Sequence, residues 1–240
     1  AGGCCSGVGA GSGKEGGAIV KHTKESPRLL CPSMMCAGFD CLAQETETLD
    51  RAGADIFHLD VMDGHFVRNF GLGLEDIQCV RRHTSKPIDA HLMVSNPGEV
   101  ADLFLDLGVD ILYIHWEAEA DTARTLSHIR ERGGKSGLVL NPGTSLEAVE
   151  GLLPWTDYLL LMTVTPGFPG QKYQPAVEEK IQKAAAWKER YHYRLAVDGA
   201  ISPSVIQRLA PLGVDGFILG TSALFGKGDY QTTMRALRAL

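Results

Sequence analysis

One stretch decides the fold of this chain: Gly53-Ala54-Asp55-Ile56-Phe57-His58-Leu59-Asp60-Val61-Met62-Asp63-Gly64-His65. A glycine that can end a helix comes first, a short apolar run typical of a β-strand follows, and polar side chains stand at the end of the run. Gly108-Val109-Asp110 and Gly213-Val214-Asp215 repeat the same junction. The repetition predicts a chain assembled from units in which a helix leads into a strand.

Short apolar runs alternate with amphipathic segments from Leu29 onward, which is the pattern of a parallel sheet built from βα units. We predict strands near residues 29–34, 55–61, 87–93, 110–115, 135–140, 157–163, 193–198 and 214–219. We predict helices near 40–52, 73–83, 97–107, 121–132, 145–152, 174–190, 202–210 and 229–239. Eight units of about 25 to 30 residues fit a closed (β/α)₈ TIM barrel, an α/β fold, better than an open doubly wound sheet.

The composition indicates one large globular domain. Of the 240 residues, 44% are hydrophobic and 22% are charged, which is enough for a substantial core. The formal net charge of -6 is spread over mixed signs, so we expect no nucleic acid and no anionic membrane as partner. No apolar run approaches the roughly 20 residues that span a bilayer. The six cysteines form no CxxC pair, and we interpret them as reduced thiols in a cytoplasmic protein.

Residues 1–26 differ in composition from the rest of the chain. They are rich in glycine and nearly free of apolar side chains, so we predict a flexible leader before a single barrel domain at 27–240. The Gly13-Lys14 pair resembles part of a phosphate-binding loop. That motif requires glycine where Val8 stands and serine or threonine where Glu15 stands, so we reject it.

Four side chains lie at or near the carboxyl ends of predicted strands: His58, Asp60, His91 and Asp198. Side chains two apart on a strand point the same way, so His58 and Asp60 converge. In a (β/α)₈ barrel the carboxyl ends of the strands form the active face. Two imidazoles and two carboxylates suit one divalent ion, and this ligand set does not distinguish among zinc, iron, manganese and cobalt.

Glycine-containing loops follow the last three predicted strands, and their backbone N–H groups could enclose a phosphate. The candidate phosphate-binding residues are Gly167, Phe168, Pro169, Gly170, Gly199, Ala200, Gly220 and Thr221. A phosphate opposite a metal suggests that the substrate is a phosphorylated keto-sugar whose carbonyl oxygen binds the metal. The metal would then acidify the C–H bond next to the carbonyl. If Asp60 and Asp198 approach from opposite faces, one removes the proton and the other returns it, which inverts the carbon.

The chain resembles the ribulose-phosphate 3-epimerase family in several motifs: 58–67, Asp89-Ala90-His91-Leu92-Met93, Asn141-Pro142-Gly143-Thr144, 162–168 and Val197-Asp198-Gly199. The resemblance covers residues 29–238. It implies a barrel of the ribulose-phosphate-binding type and the 3-epimerisation of D-ribulose 5-phosphate to D-xylulose 5-phosphate in the pentose phosphate pathway, through a metal-stabilised enediolate.

The same resemblance implies roles for individual residues. His58, Asp60, His91 and Asp198 would hold one divalent metal ion, and Asp60 and Asp198 would also be the catalytic acid/base pair. Asp60 would accept the proton in the ribulose-to-xylulose direction. The residues implied to contact the substrate or surround the enediolate are Ser33, Met62, His91, Met93 and Met162. The family forms homodimers and homohexamers, so we expect a homo-oligomer.

The chain departs from the family pattern at Arg68, Pro169, Ala200 and Thr221. These departures favour, as the alternative, D-allulose-6-phosphate 3-epimerase, which uses the same chemistry on a hexose. A metal-dependent phosphosugar hydrolase would release phosphate. A non-catalytic phosphosugar-binding barrel would have no need for Asp60 and Asp198 at a metal.

Overall fold

A computed structural model describes residues 28–240, and the predicted leader and Cys4 and Cys5 lie outside the described residues. Eight parallel strands form one sheet in the order β1-β8-β7-β6-β5-β4-β3-β2. They are β1 Leu29–Pro32, β2 Phe57–Met62, β3 Ile88–Met93, β4 Ile111–His115, β5 Lys135–Leu140, β6 Tyr158–Met162, β7 Arg194–Asp198 and β8 Gly216–Leu219. A parallel bridge between Ser33 and His58 joins β1 to β2. The predicted (β/α)₈ barrel is therefore confirmed, and the division of the chain at residue 27 stays a prediction.

Within residues 28–240, seven α-helices surround the strands: α1 Leu42–Arg51, α2 Leu74–His83, α3 Ala101–Asp106, α4 Thr122–Glu131, α5 Val177–Tyr191, α6 Pro203–Leu209 and α7 Tyr230–Arg238. The predicted helix at 145–152 is instead a 3₁₀ helix over Glu147–Trp155. It contains Pro154, which has no N–H to donate to an α-helical ladder. The predicted helix at 97–107 is divided into a 3₁₀ turn at Pro97–Glu99 and α3. No helix in the described part of the chain is long and apolar enough to cross a membrane.

The predicted junction before the strands has a structural role at the amino-terminal end of the barrel. Gly53, Gly108 and Gly213 all have positive φ, which glycine adopts without strain. The aspartates that follow them accept a main-chain N–H from the preceding strand: Asp55 from Leu30, Asp110 from Ile88 and Asp215 from Leu195. Asp157, which the sequence pattern did not reveal, does the same for Ser136. Four odd-numbered strands are thus tied to the segment that enters the next strand.

Alternate side chains of each strand fill the barrel interior, as the period of two requires. One cluster of buried side chains comprises Cys31, Ile56, Ile111, Tyr113, Val139, Leu160, Met162, Val164, Ala196 and Ile218. Tyr113 is the largest of these and is 2% exposed. Its Cα is paired in register with that of Gly137 on β5. This apolar cluster fills the barrel interior below the polar residues at the carboxyl ends of the strands.

We expect Gly137→Ala to destabilise the protein, because a Cβ at position 137 would overlap the ring of Tyr113. Overpacking of a dense interior costs about 1–3 kcal/mol. For a protein of this size that corresponds to a fall in Tm of roughly 2–12 °C. Gly151→Ala is the matched control, since no atom lies within 4 Å of the added Cβ. Equal melting temperatures for the two variants would contradict this packing.

Candidate metal and active site

The register between β2 and β3 brings the predicted ligands together. Asp60 is paired with His91, and two residues earlier on each strand His58 is paired with Asp89. All four side chains are buried, and the short distances between them show that they share one face of the two strands. Asp198, the last residue of β7, completes the group from across the barrel mouth. Extended strands with a period of two therefore position every ligand that the sequence predicted.

The four side chains can each offer one ligand atom to a common centre. Those atoms, from His58, Asp60, His91 and Asp198, all lie within 4.8 Å of one another. Asp60 Oδ1 is 3.2 Å from both His58 Nε2 and His91 Nδ1. Asp198 Oδ2 is 3.9 Å and 3.8 Å from the same two nitrogens. Ligands at metal bond lengths of about 2.0–2.2 Å are separated by roughly 3.3–4.4 Å, so the arrangement fits one ion.

An orphaned nitrogen supports the same interpretation. His58 is fully buried, and neither of its ring nitrogens makes a hydrogen bond of acceptable geometry within residues 28–240. A buried polar atom without a partner costs free energy unless a ligand satisfies it. Nδ1 has the Asp89 carboxylate 2.6 Å away, whereas Nε2 faces the ligand cluster, 3.2 Å from Asp60 Oδ1 and 3.9 Å from Asp198 Oδ2. A divalent cation at the centre would satisfy this nitrogen and offset the two negative charges.

The two carboxylates differ in their surroundings. Burial and the nearby Asp60 carboxylate raise the pKa of Asp198 to about 6. Burial would also raise the pKa of Asp60, but His58 and His91 outweigh it and hold the Asp60 pKa well below its ordinary value. Burial would lower the pKa of His58, yet Asp89 and Asp60 together raise it well above the usual range. The site therefore concentrates negative charge that favours a cation.

Two further side chains orient the ligands. Asp89 Oδ1 lies 2.6 Å from His58 Nδ1, on the side of the ring away from the cluster. A carboxylate behind a histidine ligand fixes its tautomer and ring orientation. Ser33 Oγ donates to Asp60 Oδ2 at 2.8 Å, which leaves Oδ1 directed at the two histidines. The sequence predicted a role for Ser33 but assigned none to Asp89, although Asp89 stands two residues before His91 on the same strand face.

A chain of polar contacts continues behind His91. His91 Nε2 lies 2.8 Å from His115 Nε2, and His115 Nδ1 lies 3.3 Å from Glu117 Oε2. Glu117 Oε1 also accepts the Asn141 N–H at 2.9 Å and the hydroxyl of Thr144. Burial would raise the pKa of Glu117, but these hydrogen bonds lower it to about 2. Neither His115 nor Glu117 was predicted from the sequence. Their position at and just after the end of β4 was the signal that could have revealed them.

The cavity at the carboxyl ends of the strands is lined by nearly all the predicted residues. Those that line it are Ser33, Asp60, Met62, Met93, Met162, Gly167, Phe168, Pro169, Gly170, Asp198, Gly199, Ala200, Gly220 and Thr221. His58 and His91 do not line it, because both are fully buried beneath its floor. The cavity is also lined by residues outside the predicted site: Met35, Cys36, Val164, Thr165, Pro166, Gln171, Ile201, Ile218 and Ser222.

The loops around this cavity are held by contacts that a sequence motif cannot show. Asn69 Nδ2 donates to the Gly167 carbonyl at 2.7 Å, which joins the loop after β2 to the loop after β6. Gly199 has a φ of 114°, and a Cβ there would lie 2.9 Å from Val164 N. Ala200 has a φ of 51°, which is uncommon for a residue other than glycine. Tight backbone at the end of β7 thus brings main-chain groups close to the cavity.

The fold and the site define a class: a (β/α)₈ barrel with a two-histidine, two-carboxylate metal site at the carboxyl ends of its strands. Residues 29–225 match the ribulose-phosphate 3 epimerase family, and the chain belongs to that family. Ribulose-phosphate 3-epimerase of Aquifex aeolicus is 39% identical over 215 residues, which cover 89% of this chain and 96% of that protein. The chloroplastic ribulose-5-phosphate-3-epimerase of Arabidopsis thaliana is 33% identical over 227 residues, covering 92% and 79%.

Solved structures extend the similarity of fold well beyond the family. The 3-keto-L-gulonate-6-phosphate decarboxylase of Vibrio cholerae superimposes with a TM-score of 0.65 at 14% identity, covering 89% of this chain and 96% of that one. At such low identity the match concerns the barrel alone. Family membership and the His58, Asp60, His91 and Asp198 cluster together identify the cofactor as one divalent metal ion.

Proposed function

We propose that this protein is an isomerase that converts D-ribulose 5-phosphate to D-xylulose 5-phosphate by inverting C3. The observation that carries the proposal is the convergence of Asp60 and Asp198 on one buried metal-ligand cluster in a chain of this family. The direct test is formation of D-xylulose 5-phosphate by the metal-loaded protein. Release of inorganic phosphate without epimer formation would contradict the proposal and indicate a hydrolase.

Inversion requires a proton donor and a proton acceptor on opposite faces of the substrate carbon. Asp60 projects from β2 and Asp198 from β7, which are three strands apart around the ring. Both carboxylates line the same cavity. When bound, the metal ion polarises the substrate carbonyl and so acidifies the C3 proton. In the ribulose-to-xylulose direction Asp60 takes that proton from one face, and Asp198 delivers a proton to C3 from the other face.

Other side chains support this proton transfer. Ser33 donates to Asp60 Oδ2 at 2.8 Å and keeps the carboxylate directed at the reacting centre. Met62, Met93 and Met162 line the cavity and are each at most 8% exposed. Their thioethers cannot supply protons, so none of the three competes with the two carboxylates as a proton donor to the enediolate. These apolar side chains also exclude water, and the exclusion of water strengthens the electrostatic interactions in the site.

The phosphate group of the substrate belongs at the loops after β6, β7 and β8. Gly167, Gly170, Gly199 and Gly220 line this end of the cavity. Glycine allows the backbone to approach an anion closely, and main-chain N–H groups can then donate to phosphate oxygens. No lysine or arginine lines the cavity among the described residues. The anion is therefore held by main-chain dipoles, and an added negative charge would be poorly tolerated.

Ala200→Asp tests this phosphate position. Aspartate tolerates positive φ, so the backbone can remain in place while a carboxylate enters the cavity rim. Repulsion between the carboxylate and the phosphate, worth about 2–3 kcal/mol in such a partly buried setting, predicts a 30- to 150-fold loss of kcat/KM, mainly through KM. Ala200→Asn is the matched neutral control and is expected to lose far less. Equal KM values for the two variants would place the phosphate elsewhere.

The substrate is a pentose phosphate in this account. The relatives from Aquifex aeolicus and Arabidopsis thaliana are both named for ribulose phosphate, and the hexose alternative, D-allulose 6-phosphate, is not favoured. Arg68, one of the departures that suggested the hexose, is exposed and does not line the cavity. Pro169, Ala200 and Thr221 do line it, at the proposed phosphate end. Their substitutions therefore concern phosphate binding more than sugar length.

The expected homo-oligomer and cytoplasmic location complete the proposal. Phe39 and Phe70 are 56% and 75% exposed, and exposed aromatic side chains are typical of surfaces that another chain covers. Sedimentation equilibrium would test for a dimer or a hexamer, and a monomer at micromolar concentration would contradict the expectation. The relative from Arabidopsis thaliana is chloroplastic, so the compartment differs among members of the family.

A further inference from the structure

We propose that Glu117 is a positioning residue for the metal site and that it acts through His115 on the ligand His91. The inference rests on the assignment of His91 as a ligand in the proposed function. His115 is fully buried, and neither His115 nor Glu117 lines the substrate cavity. Any effect of Glu117 on the reaction must therefore pass through the groups that it contacts.

Which ring nitrogen of each histidine carries a proton follows from which atoms in this chain of contacts must donate and which must accept. His91 Nδ1 is the ring nitrogen that faces the ligand cluster, 3.2 Å from Asp60 Oδ1, so it is the atom that would bind the metal, and with the metal bound it carries no proton. A neutral imidazole with a bare Nδ1 is protonated on Nε2. His91 Nε2–H must then donate to His115 Nε2, 2.8 Å away, because two N–H groups cannot face each other at that distance. His115 is consequently protonated on Nδ1, and this N–H donates to Glu117 Oε2 at 3.3 Å.

Glu117 fixes the tautomers of the two histidines, because both of its carboxylate oxygens must accept hydrogen bonds. Oε2 faces His115, and Oε1 accepts from the Asn141 N–H and the Thr144 hydroxyl. A carboxylate satisfies every one of these donors, whereas a carboxamide offers one oxygen and one NH₂ group. In a glutamine variant the NH₂ group would face either the Asn141 N–H or His115 Nδ1–H. The second arrangement reverses the His115 tautomer and, through it, protonates His91 on its ligand atom.

The loop that holds Glu117 is itself anchored from outside the barrel. Lys180, on α5, donates from Nζ to the carbonyl oxygens of Asn141, Pro142 and Thr144 at 2.7, 3.1 and 2.9 Å. Three carbonyl acceptors in one short loop keep Asn141 and Thr144 directed at Glu117. The lysine charge also offsets part of the carboxylate charge. The donors from Asn141 and Thr144 to Glu117 are thus carried by a loop whose backbone is held in place by Lys180.

The two histidine ligands are consequently supported in different ways. His58 presents Nε2 to the metal site and is backed directly by Asp89 at 2.6 Å. His91 presents Nδ1 and is backed by a carboxylate one imidazole further away. A hydrogen-bonded carboxylate behind a ligand raises its basicity and holds its orientation. The geometry gives His91 a supporting carboxylate, as His58 has, but supplied through His115 by a residue in the 3₁₀ turn that follows β4.

The test compares Glu117→Gln with Glu45→Gln. Glu45 accepts a hydrogen bond from Tyr230 on the outer helices and does not line the substrate cavity, so it controls for the loss of one carboxylate. We expect the Zn²⁺ dissociation constant of Glu117→Gln, measured by chelator competition, to rise roughly 10- to 100-fold. We expect the control to remain within about twofold of the wild type. At saturating Zn²⁺ the KM for D-ribulose 5-phosphate should change little, because Glu117 does not line the cavity.

Imidazole ¹H–¹⁵N spectra of the zinc-loaded wild type supply a readout independent of activity. The proposal requires a proton on His91 Nε2 and on His115 Nδ1. A proton on His115 Nε2 in the wild type would overturn it, as would an unchanged Zn²⁺ affinity in a folded Glu117→Gln. If Glu117→Gln does not fold, the wild-type spectrum decides the question alone. Failure of the wild type to bind Zn²⁺ would instead count against the ligand assignment.

Discussion

Asp198→Asn is expected to abolish turnover of D-ribulose 5-phosphate while the barrel remains folded. Asparagine has the same shape as aspartate but cannot accept and return a proton at C3. Loss of a general acid/base lowers the rate by roughly 10²- to 10⁴-fold, and loss of an anionic ligand adds to that effect. We therefore expect kcat to fall by at least about 10³-fold, measured at saturating metal so that weak metal binding is separated from the loss of chemistry.

The folded state of this variant has a physical basis. Burial, together with the nearby Asp60 carboxylate, outweighs the attraction of His58 and raises the pKa of Asp198, so the charged form of Asp198 is disfavoured in the metal-free fold. Removing that charge removes the cost, so the melting temperature of the metal-free variant should equal or exceed that of the wild type. Asp106→Asn, which removes an exposed carboxylate paired with Arg132, is the matched control and should retain full activity. Near-normal turnover by Asp198→Asn would refute the two-carboxylate assignment.

Removing the metal ion is the second change with a large expected effect. Dialysis against a strong chelator should lower activity by more than about 10³-fold, because carbonyl polarisation contributes several kcal/mol to the transition state. It should also destabilise the fold, because ligand binding at a thousand times its dissociation constant adds about 4 kcal/mol. For a protein of this size that predicts a fall in Tm of roughly 8–16 °C.

Restoration distinguishes metal removal from damage to the protein. Adding back one equivalent of Zn²⁺, Mn²⁺, Fe²⁺ or Co²⁺ should recover both activity and melting temperature, and the most active ion would identify the preferred metal. His58→Ala serves as the control, because it lacks a ligand and its Tm should respond little to the same additions. Full activity in protein that contains less than a tenth of an equivalent of metal would contradict the account.

The sequence predicted the ligand cluster because the relevant information is local. His58 and Asp60 are two apart on one strand, and His91 and Asp198 each lie at or near the carboxyl end of another strand. Once the fold is a barrel, strand ends meet at one face, so four ligands follow from short motifs. The glycine junctions were equally local, and Gly53, Gly108 and Gly213 all have the positive φ expected of helix ends.

The residues that the sequence did not reveal depend on register between strands. His115 becomes a partner of His91 only because β4 lies beside β3 with Leu92 paired to Ile114, and Glu117 and Lys180 reach the site through a loop and a helix distant in sequence. No short motif encodes that geometry. The helix predicted at 145–152 is a 3₁₀ helix that extends to Trp155, and it includes Pro154, which lies beyond the predicted segment and has no N–H for an α-helical hydrogen bond.

The most direct test of the central claim is proton NMR of the metal-loaded protein in D₂O with D-ribulose 5-phosphate, and separately with D-allulose 6-phosphate. We expect deuterium to enter at C3 of the pentose, D-xylulose 5-phosphate to appear, and no inorganic phosphate to be released. Exchange with the hexose should be slower. Faster exchange with the hexose would contradict the substrate assignment, and exchange with neither sugar would contradict the proposed epimerase chemistry itself.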